Sequence, residues 1–267
     1  MIMKNLSFYL RIYLKIVVQD IKSKMSYRAD FIISTIGMIL TNVSGFVAFY
    51  VIFNNFVAIG KWSYYELLFF YGFSLVALTP VQCLFDNNWN LRSYVYNGDF
   101  IKYCFRPINI FFYFQSEIFD VKGIGQFVFG MLTIIYSWSK LGIETTVLEI
   151  IKLVIFLITA SLFMIGIMNI AAATCFWLLY SGYIMVIASK LKDYARYPTT
   201  IFNPFFRFIF TFIIPIAFIS FYPSLVILRP DETPVISWLS PFLGVIFFYI
   251  SYKIWMIGAT KYSGTGS

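Results

Sequence analysis

Polar residues recur at Lys4, Ser7, Arg11, Lys15, Gln19 and Lys22, three or four apart, with Leu6, Tyr9, Leu10, Tyr13, Leu14, Val17, Val18 and Ile21 between them. That period draws one polar and one apolar stripe on a single helix. Arg11 and Lys15 interrupt what a signal peptide would keep as an unbroken apolar stretch. Residues 1–28 are therefore expected to lie in a membrane interface, apolar face down, the competing reading being a soluble amphipathic helix docked on a partner. Lys22, Lys24 and Arg28 crowd the entry to the next apolar run, which places the N-terminus in the cytoplasm.

Ala29 to Phe53 carries one charge, Asp30, at its start; at 1.5 Å per residue it reaches about 36 Å, enough to cross a bilayer with tilt. Lys61, Trp62, Tyr64 and Tyr65 form a short belt-like loop, and Leu67 to Phe85 brings the chain back, with Pro80 near its end. Residues 86–122 hold Asp86, Arg92, Asp99, Lys102, Arg106, Glu117, Asp120 and Lys122. They are too charged to span and too aromatic for a loose linker, so short interfacial helices are expected, broken at Asn97-Gly98-Asp99 and before Pro107. Gly98 reads as a turn residue with positive φ and Asp99 as a cap for the next helix. A third span opens at Gly123 and Gly125 and runs to about Trp138.

No charge occurs from Leu153 to Ser189. As one helix that run would be about 55 Å long, nearly twice the hydrocarbon core. Two crossings with a turn at Asn169–Ala173 fit the length better than one crossing followed by a long interfacial helix. They leave Lys190, Lys192 and Arg196 outside, against the usual bias of basic residues. Pro198, Pro204, Arg207, Pro215 and Pro223 come next, within a run of Phe and Ile. That proline density argues against a straight span, and non-helical backbone at membrane depth survives only where protein or a water-filled cavity covers it. A hairpin entering and leaving from outside, within residues 190–234, meets both constraints. Val235 to Met256 then returns to the cytoplasm, with Lys261 in the tail. The expectation is an all-α integral membrane protein, residues 1–267 as one domain, with about six transmembrane helices.

Composition agrees. The chain of 267 residues is 60% hydrophobic and only 12% charged, where a soluble domain is about a quarter charged. The net charge of +8 reads as cytoplasmic loops rather than nucleic-acid binding. There is no histidine, which removes histidine bases, triads and metal ligands. Cys83, Cys104 and Cys175 fit neither a disulfide framework nor a metal site. The lone Gly60-Lys61 is followed by Trp62, and Asn55 stands where a phosphate-binding loop needs its first glycine. Asp30, Glu66, Glu149 and Lys152 fall at span ends and Lys253 can snorkel. Ion-coupled carriers usually keep an ionisable group at mid-membrane, although backbone carbonyls can also hold Na⁺. This distribution points to a transport path powered from elsewhere, the alternatives being an ATP-independent carrier or channel and a non-transporting membrane immunity or scaffold protein. The 32 Phe and 20 Tyr are better explained by lipid-facing helices and nucleotide composition than by substrate choice.

Three places look familiar: Tyr27-Arg28-Ala29-Asp30-Phe31; Gly98-Asp99-Phe100-Ile101-Lys102-Tyr103 with Arg106-Pro107-Ile108-Asn109; and Tyr197-Pro198, Arg207, Ile214-Pro215 and Tyr222-Pro223 with the closing Tyr262-Ser-Gly-Thr-Gly-Ser. In that order the chain resembles the permease subunits of type 2 ATP-binding-cassette exporters that pair with a separate ATPase. The resemblance implies an N-terminal elbow helix (1–28), a cytoplasmic coupling region (86–122) and an external re-entrant hairpin. It makes Trp89, Arg92, Tyr94, Tyr96, Gly98, Asp99, Arg106 and Pro107 candidates for contact with the ATPase. Partners would be ATPase subunits, which hold the ATP and Mg, a second permease copy or a similar permease, and the bilayer. No catalytic residue, cofactor or metal is expected in this chain. A multi-pass plasma-membrane location with both termini cytoplasmic is implied.

Overall fold

The computed structural model of the protein describes residues 6–26, 28–55, 61–178 and 181–262. Tyr27 and residues 263–267, part of the familiar segments, lie outside them. Among the described residues every regular element is helical: α1 (Leu6–Met25), α2 (Arg28–Asn55), α3 (Tyr64–Leu84), α4 (Leu91–Tyr96), α5 (Ile101–Cys104), α6 (Ile110–Ser116), α7 (Lys122–Leu141), α8 (Val147–Ala173), α9 (Gly182–Leu191), α10 (Pro204–Phe208), α11 (Phe221–Leu228) and α12 (Val235–Lys261). Short 3-10 and π turns join several of them.

α3 is the centre. Its start is fixed by a capping box in which the Glu66 N–H donates to Ser63 Oγ (3.4 Å) and the Ser63 N–H to Glu66 Oε2 (2.8 Å). Pro80 sits inside the helix without ending it. Phe69, Phe70, Tyr71 and Phe73 are wholly buried, because α7, α8 and residues 192–196 pack round α3 on several sides. Close approach of α3 and α7 depends on Gly72 and Gly130: a Cβ on Gly72 would stand 3.0 Å from the Gly130 carbonyl oxygen, the small-residue contact that lets membrane helices meet. A second pair, α8 and α12, touches where Gly244 faces the Thr159 backbone.

α3, residues 147–176 and α12 are each long and apolar enough to cross a membrane; counting Pro204–Ile213 with Ile216–Leu228, bent by 73°, as one span makes four. α2 has 28 residues, about 42 Å of helix, around the apolar stretch Ile36–Ala48, and α7 has 20 residues with a lysine at each end. Along α1, Leu10, Leu14 and Val18 point outward. Its other side is tied to the α6–α7 connection: Lys24 Nζ donates to Asp20 (2.7 Å) and to the Phe119 carbonyl (2.8 Å), and the Phe119 N–H to Asp20 (2.9 Å).

The uncharged run departs from its expected division. α8 continues through Asn169 to Ala173, so no turn forms there. Asn169 is wholly buried and its carbonyl accepts from Asn88 Nδ2 at 2.9 Å; a polar residue with an interior partner belongs inside a helix, not at a surface turn. The next helix is also shorter than a crossing: α9 has 10 residues, about 15 Å. The chain then proceeds through 3-10 turns at Lys192–Arg196 and Thr199–Ile201. This stretch starts near the Leu84 end of α3, where Gly182 meets Arg92. It arrives at the Tyr64 end, where Trp62 Nε1 donates to Thr200 Oγ1 at 2.7 Å.

Candidate coupling face, proline hairpin and interior cavity

Residues 86–107 form a 3-10 turn, α4 and α5. Trp89, Arg92, Tyr96, Asp99, Arg106 and Pro107 are exposed, as are Ile101 and Phe105, the last 80% accessible. Gly98 has φ +83°, the left-handed turn expected of it. Asp99 does not cap the next helix: Phe100 occupies the position before α5, with no side-chain cap bond. Tyr94 turns inward, edge-on to Tyr103 and Phe114 with ring centres 5.8 and 6.2 Å away, and Lys102 Nζ lies 4.5 Å above it. Arg106 stacks over Tyr113 at 5.0 Å.

This face rests on a stiff floor. Phe100, Phe111, Phe114 and Phe176 surround Trp255 of α12 with ring centres 5.1–6.0 Å from it, and Trp255 is wholly buried. Tyr103 donates to Glu117, which also pairs with Lys102 at 3.0 Å; burial first, and then that bond, raise the Tyr103 hydroxyl above its ordinary pKa. Below lies an amide chain that sequence reasoning did not find. Gln115 Nε2 donates to Asn88 Oδ1 (2.8 Å), Asn88 Nδ2 to Asn169 Oδ1 (2.9 Å), and Asn87 Nδ2 to the Phe114 carbonyl (2.6 Å). It ties the exposed face directly to α8. The available signal was Asn169, the one carboxamide between Leu153 and Ser189. A cavity of about 790 Å³ opens beside Trp89, Arg92, Tyr96 and Gly182.

The prolines fall where the helical pattern breaks. Pro198 precedes the 3-10 turn at Thr199. Pro204 is the first residue of α10, whose start Asn203 caps by accepting from the Phe206 N–H at 3.0 Å. Pro215 separates the π turn at 209–213 from the 3-10 turn at 216–218. Pro223 lies in the first turn of α11, where no intrahelical bond is lost. Pro215 lines a cavity of about 250 Å³ together with Ala171, Ile184 and Leu191, while both limbs end beside the start of α3: Thr200 on Trp62, and Arg229 on Glu66 (2.8 Å) and the Lys61 carbonyl (2.8 Å). Arg207 is exposed there and lines a cleft of about 550 Å³ with Lys61, Trp62 and Arg229. The Glu66 bond raises the Arg229 guanidinium above its ordinary value.

Sequence reasoning also missed interior charge. Lys192 and Arg196 line a cavity of about 340 Å³ with Asn42, Gln82 and Gln126, closed at one end by Asp86 and Asp120. Both read as loop residues in sequence; packing of the 192–196 turn along α3 brings them inside. Burial, then the neighbouring Asp120, raises the Asp86 carboxyl above the ordinary value of 3.8, against the pull of Lys24, Lys122 and Lys192. Among the described residues no group of three potential ligand side chains is placed to hold a metal ion.

An all-helical bundle with several membrane-length apolar helices and an aromatic face between two of them defines a multi-pass membrane protein. A family model described as ABC-2 family transporter protein matches residues 36–266, and the chain belongs to that family. It is a permease of ATP-binding-cassette transport, a membrane subunit of a kind that is generally not itself an enzyme and that associates with ATPase subunits. No curated protein and no solved structure gave a significant match.

Proposed function

We propose that the chain is the membrane-spanning half of an ATP-driven export system, forming the substrate path and taking its energy from a separate ATPase. The observation that carries this reading is the exposed aromatic and basic face of residues 89–107 seated on a buried aromatic and amide floor. A surface patch rich in Trp, Tyr and Arg is the composition of a protein-binding hot spot, and a rigid floor turns a push on it into movement of α3, α8 and α12. In this reading α2, α3, α7, α8, the broken segment 182–201 and α12 are the six crossings, α1 is the elbow, and 204–228 re-enters from outside. The Leu84 end of α3 and both termini then face the cytoplasm, and two permease chains pair with two ATPase subunits.

Co-expression with the ATPase tests this. With the exposed Cys104 first replaced by Ser, single cysteines at Tyr96 and Arg106 should crosslink to the ATPase, and one at Phe242, exposed on α12, should not. Absence of crosslinks at both face positions removes the coupling assignment. One observation favours a second reading, an ATP-independent carrier: the interior cations Lys192 and Arg196. That reading requires flux through liposomes holding this chain alone.

A further inference from the structure

Charges are costly to bring into a helical bundle and persist where they are paired or functional. Arg196 is partly buried, its side chain 26% exposed; its guanidinium lies 5.7 Å from the ring of Tyr71, and the Tyr71 hydroxyl donates to the carbonyl of Asn42 at 2.9 Å, halfway along α2. It gives Nη2 to Asp193 at 3.0 Å, yet its buried Nε has no hydrogen-bond partner among the described residues. Gln82 spends an amide N–H on the thioether of Met38 at 3.9 Å, a weak acceptor. Arg196 and Gln82 thus each bring a donor with a weak partner or none to this space. The carboxylates Asp86 and Asp120 lie at its far end beside Trp89, among Lys24, Lys122 and Lys192. The lining itself carries two cations, Lys192 and Arg196, and two carboxylates, Asp86 and Asp120; Lys24, Lys122 and Lys190 add positive charge from outside it, against Asp20, paired with Lys24, and Asp193, paired with Arg196. The cavity, about 340 Å³, lies at the small end of the ~300–1,000 Å³ range of small-molecule sites, a size for a headgroup or compact group rather than a whole two-tailed amphiphile.

We propose that this cavity binds the oxyanion headgroup, phosphate or carboxylate, of the transported substrate, with Lys192 and Arg196 as its cationic ligands and Asn42 and Gln82 as neutral ones. Arg196 offers its unpartnered Nε and Lys192 its ammonium, donors of the kind that serve phosphate and carboxylate oxygens. A cationic headgroup would meet two like charges, Lys192 and Arg196, in the same lining. The rim includes Trp89, so an occupied cavity touches the coupling face itself. The proposal rests on the reading that the chain forms the substrate path, and it names the class of cargo.

Equilibrium binding to the purified full-length chain in maltoside micelles tests it without ATPase or ATP. Dioctyl phosphate and dioctyldimethylammonium carry the same two tails and opposite charges. Dioctyl phosphate should bind at least about tenfold tighter, and Lys192→Gln and Arg196→Gln should each reduce that preference about tenfold, the loss of one charged hydrogen bond. Arg196→Lys should retain part of it. Where Arg196→Gln is not monodisperse, Lys192→Gln and Arg196→Lys decide. Competition by millimolar inorganic phosphate supports the site as one for free anions; failure to compete while dioctyl phosphate keeps its preference supports it as one for headgroups with tails. Equal affinity for the two amphiphiles, or an undiminished preference in the variants, overturns the proposal. Because no ATPase is present, that result leaves the permease reading standing; failure of ATPase crosslinking would leave the binding result standing.

Discussion

The amide chain beneath the proposed coupling face is the most direct place to perturb the link between face and bundle. Asn88→Ala removes two bonds, one donated to Asn169 and one accepted from Gln115 (2.9 and 2.8 Å). Asn169→Ala removes the first alone. Asn88 is 1% exposed and Asn169 wholly buried, so each broken bond leaves a stranded amide, costing about 1–3 kcal/mol. Asn88→Ala should then lose about 2–6 kcal/mol. Asn169→Ala should fall near the low end of about 1–3 kcal/mol, because it also removes an Nδ2 that already lacks a partner. The double variant loses the shared bond once, so the cycle should show a coupling of about 0.6–1.7 kcal/mol, the range for hydrogen bonds between membrane helices. Unfolding of the four proteins in mixed micelles by dodecyl sulfate measures it. Additivity within about 0.3 kcal/mol would refute a direct Asn88–Asn169 bond and with it the proposed rigid floor.

Three further outcomes are expected. Gly244→Ala drives a Cβ into the Thr159 backbone, whereas Gly37→Ala meets nothing within 4 Å; the first should lower the thermal midpoint clearly and the second leave it unchanged or raise stability by about 0.5–1 kcal/mol. A cysteine at Lys192 lies in a cavity that ends at Asp86 and Trp89, so an impermeant maleimide should spare it in intact cells and label it in inverted vesicles; labelling in intact cells would return the segment to the outer surface. Burial raises the Asp86 carboxyl, so the native state takes up its proton at higher pH than the unfolded chain and stability falls as pH climbs from about 4 through the raised value. Asp86→Asn should flatten the thermal midpoint over that interval, and an unchanged slope would contradict the burial of this group.

Periodicity and turn chemistry made much of the fold legible. The stripe of α1, the apolar runs of α2, α3 and α12, the break at Gly98 and the irregular backbone around Pro215 all arise from local preference, which acts through neighbours in sequence. The unreadable part depends on partners far along the chain. Asn169 looks like a turn residue until Asn88, 81 positions away, supplies its bond. Lys192 and Arg196 look like a basic loop until α3 and Asp86 enclose them. The eight coupling candidates were found as a segment, but its sorting into an outward set and an inward Tyr94 required the aromatic floor built by α6 and α12. Ser63-x-x-Glu66 was a readable cap that periodicity alone passed over; its further bond to Arg229 was not readable at all.

Flux measured in liposomes addresses the central claim most directly. Vesicles containing this chain and its ATPase, loaded with an anionic amphiphile, should move it only when ATP reaches the ATPase, and should stop when the ATPase is omitted. Movement by this chain alone, at a rate ATP does not change, would contradict the account.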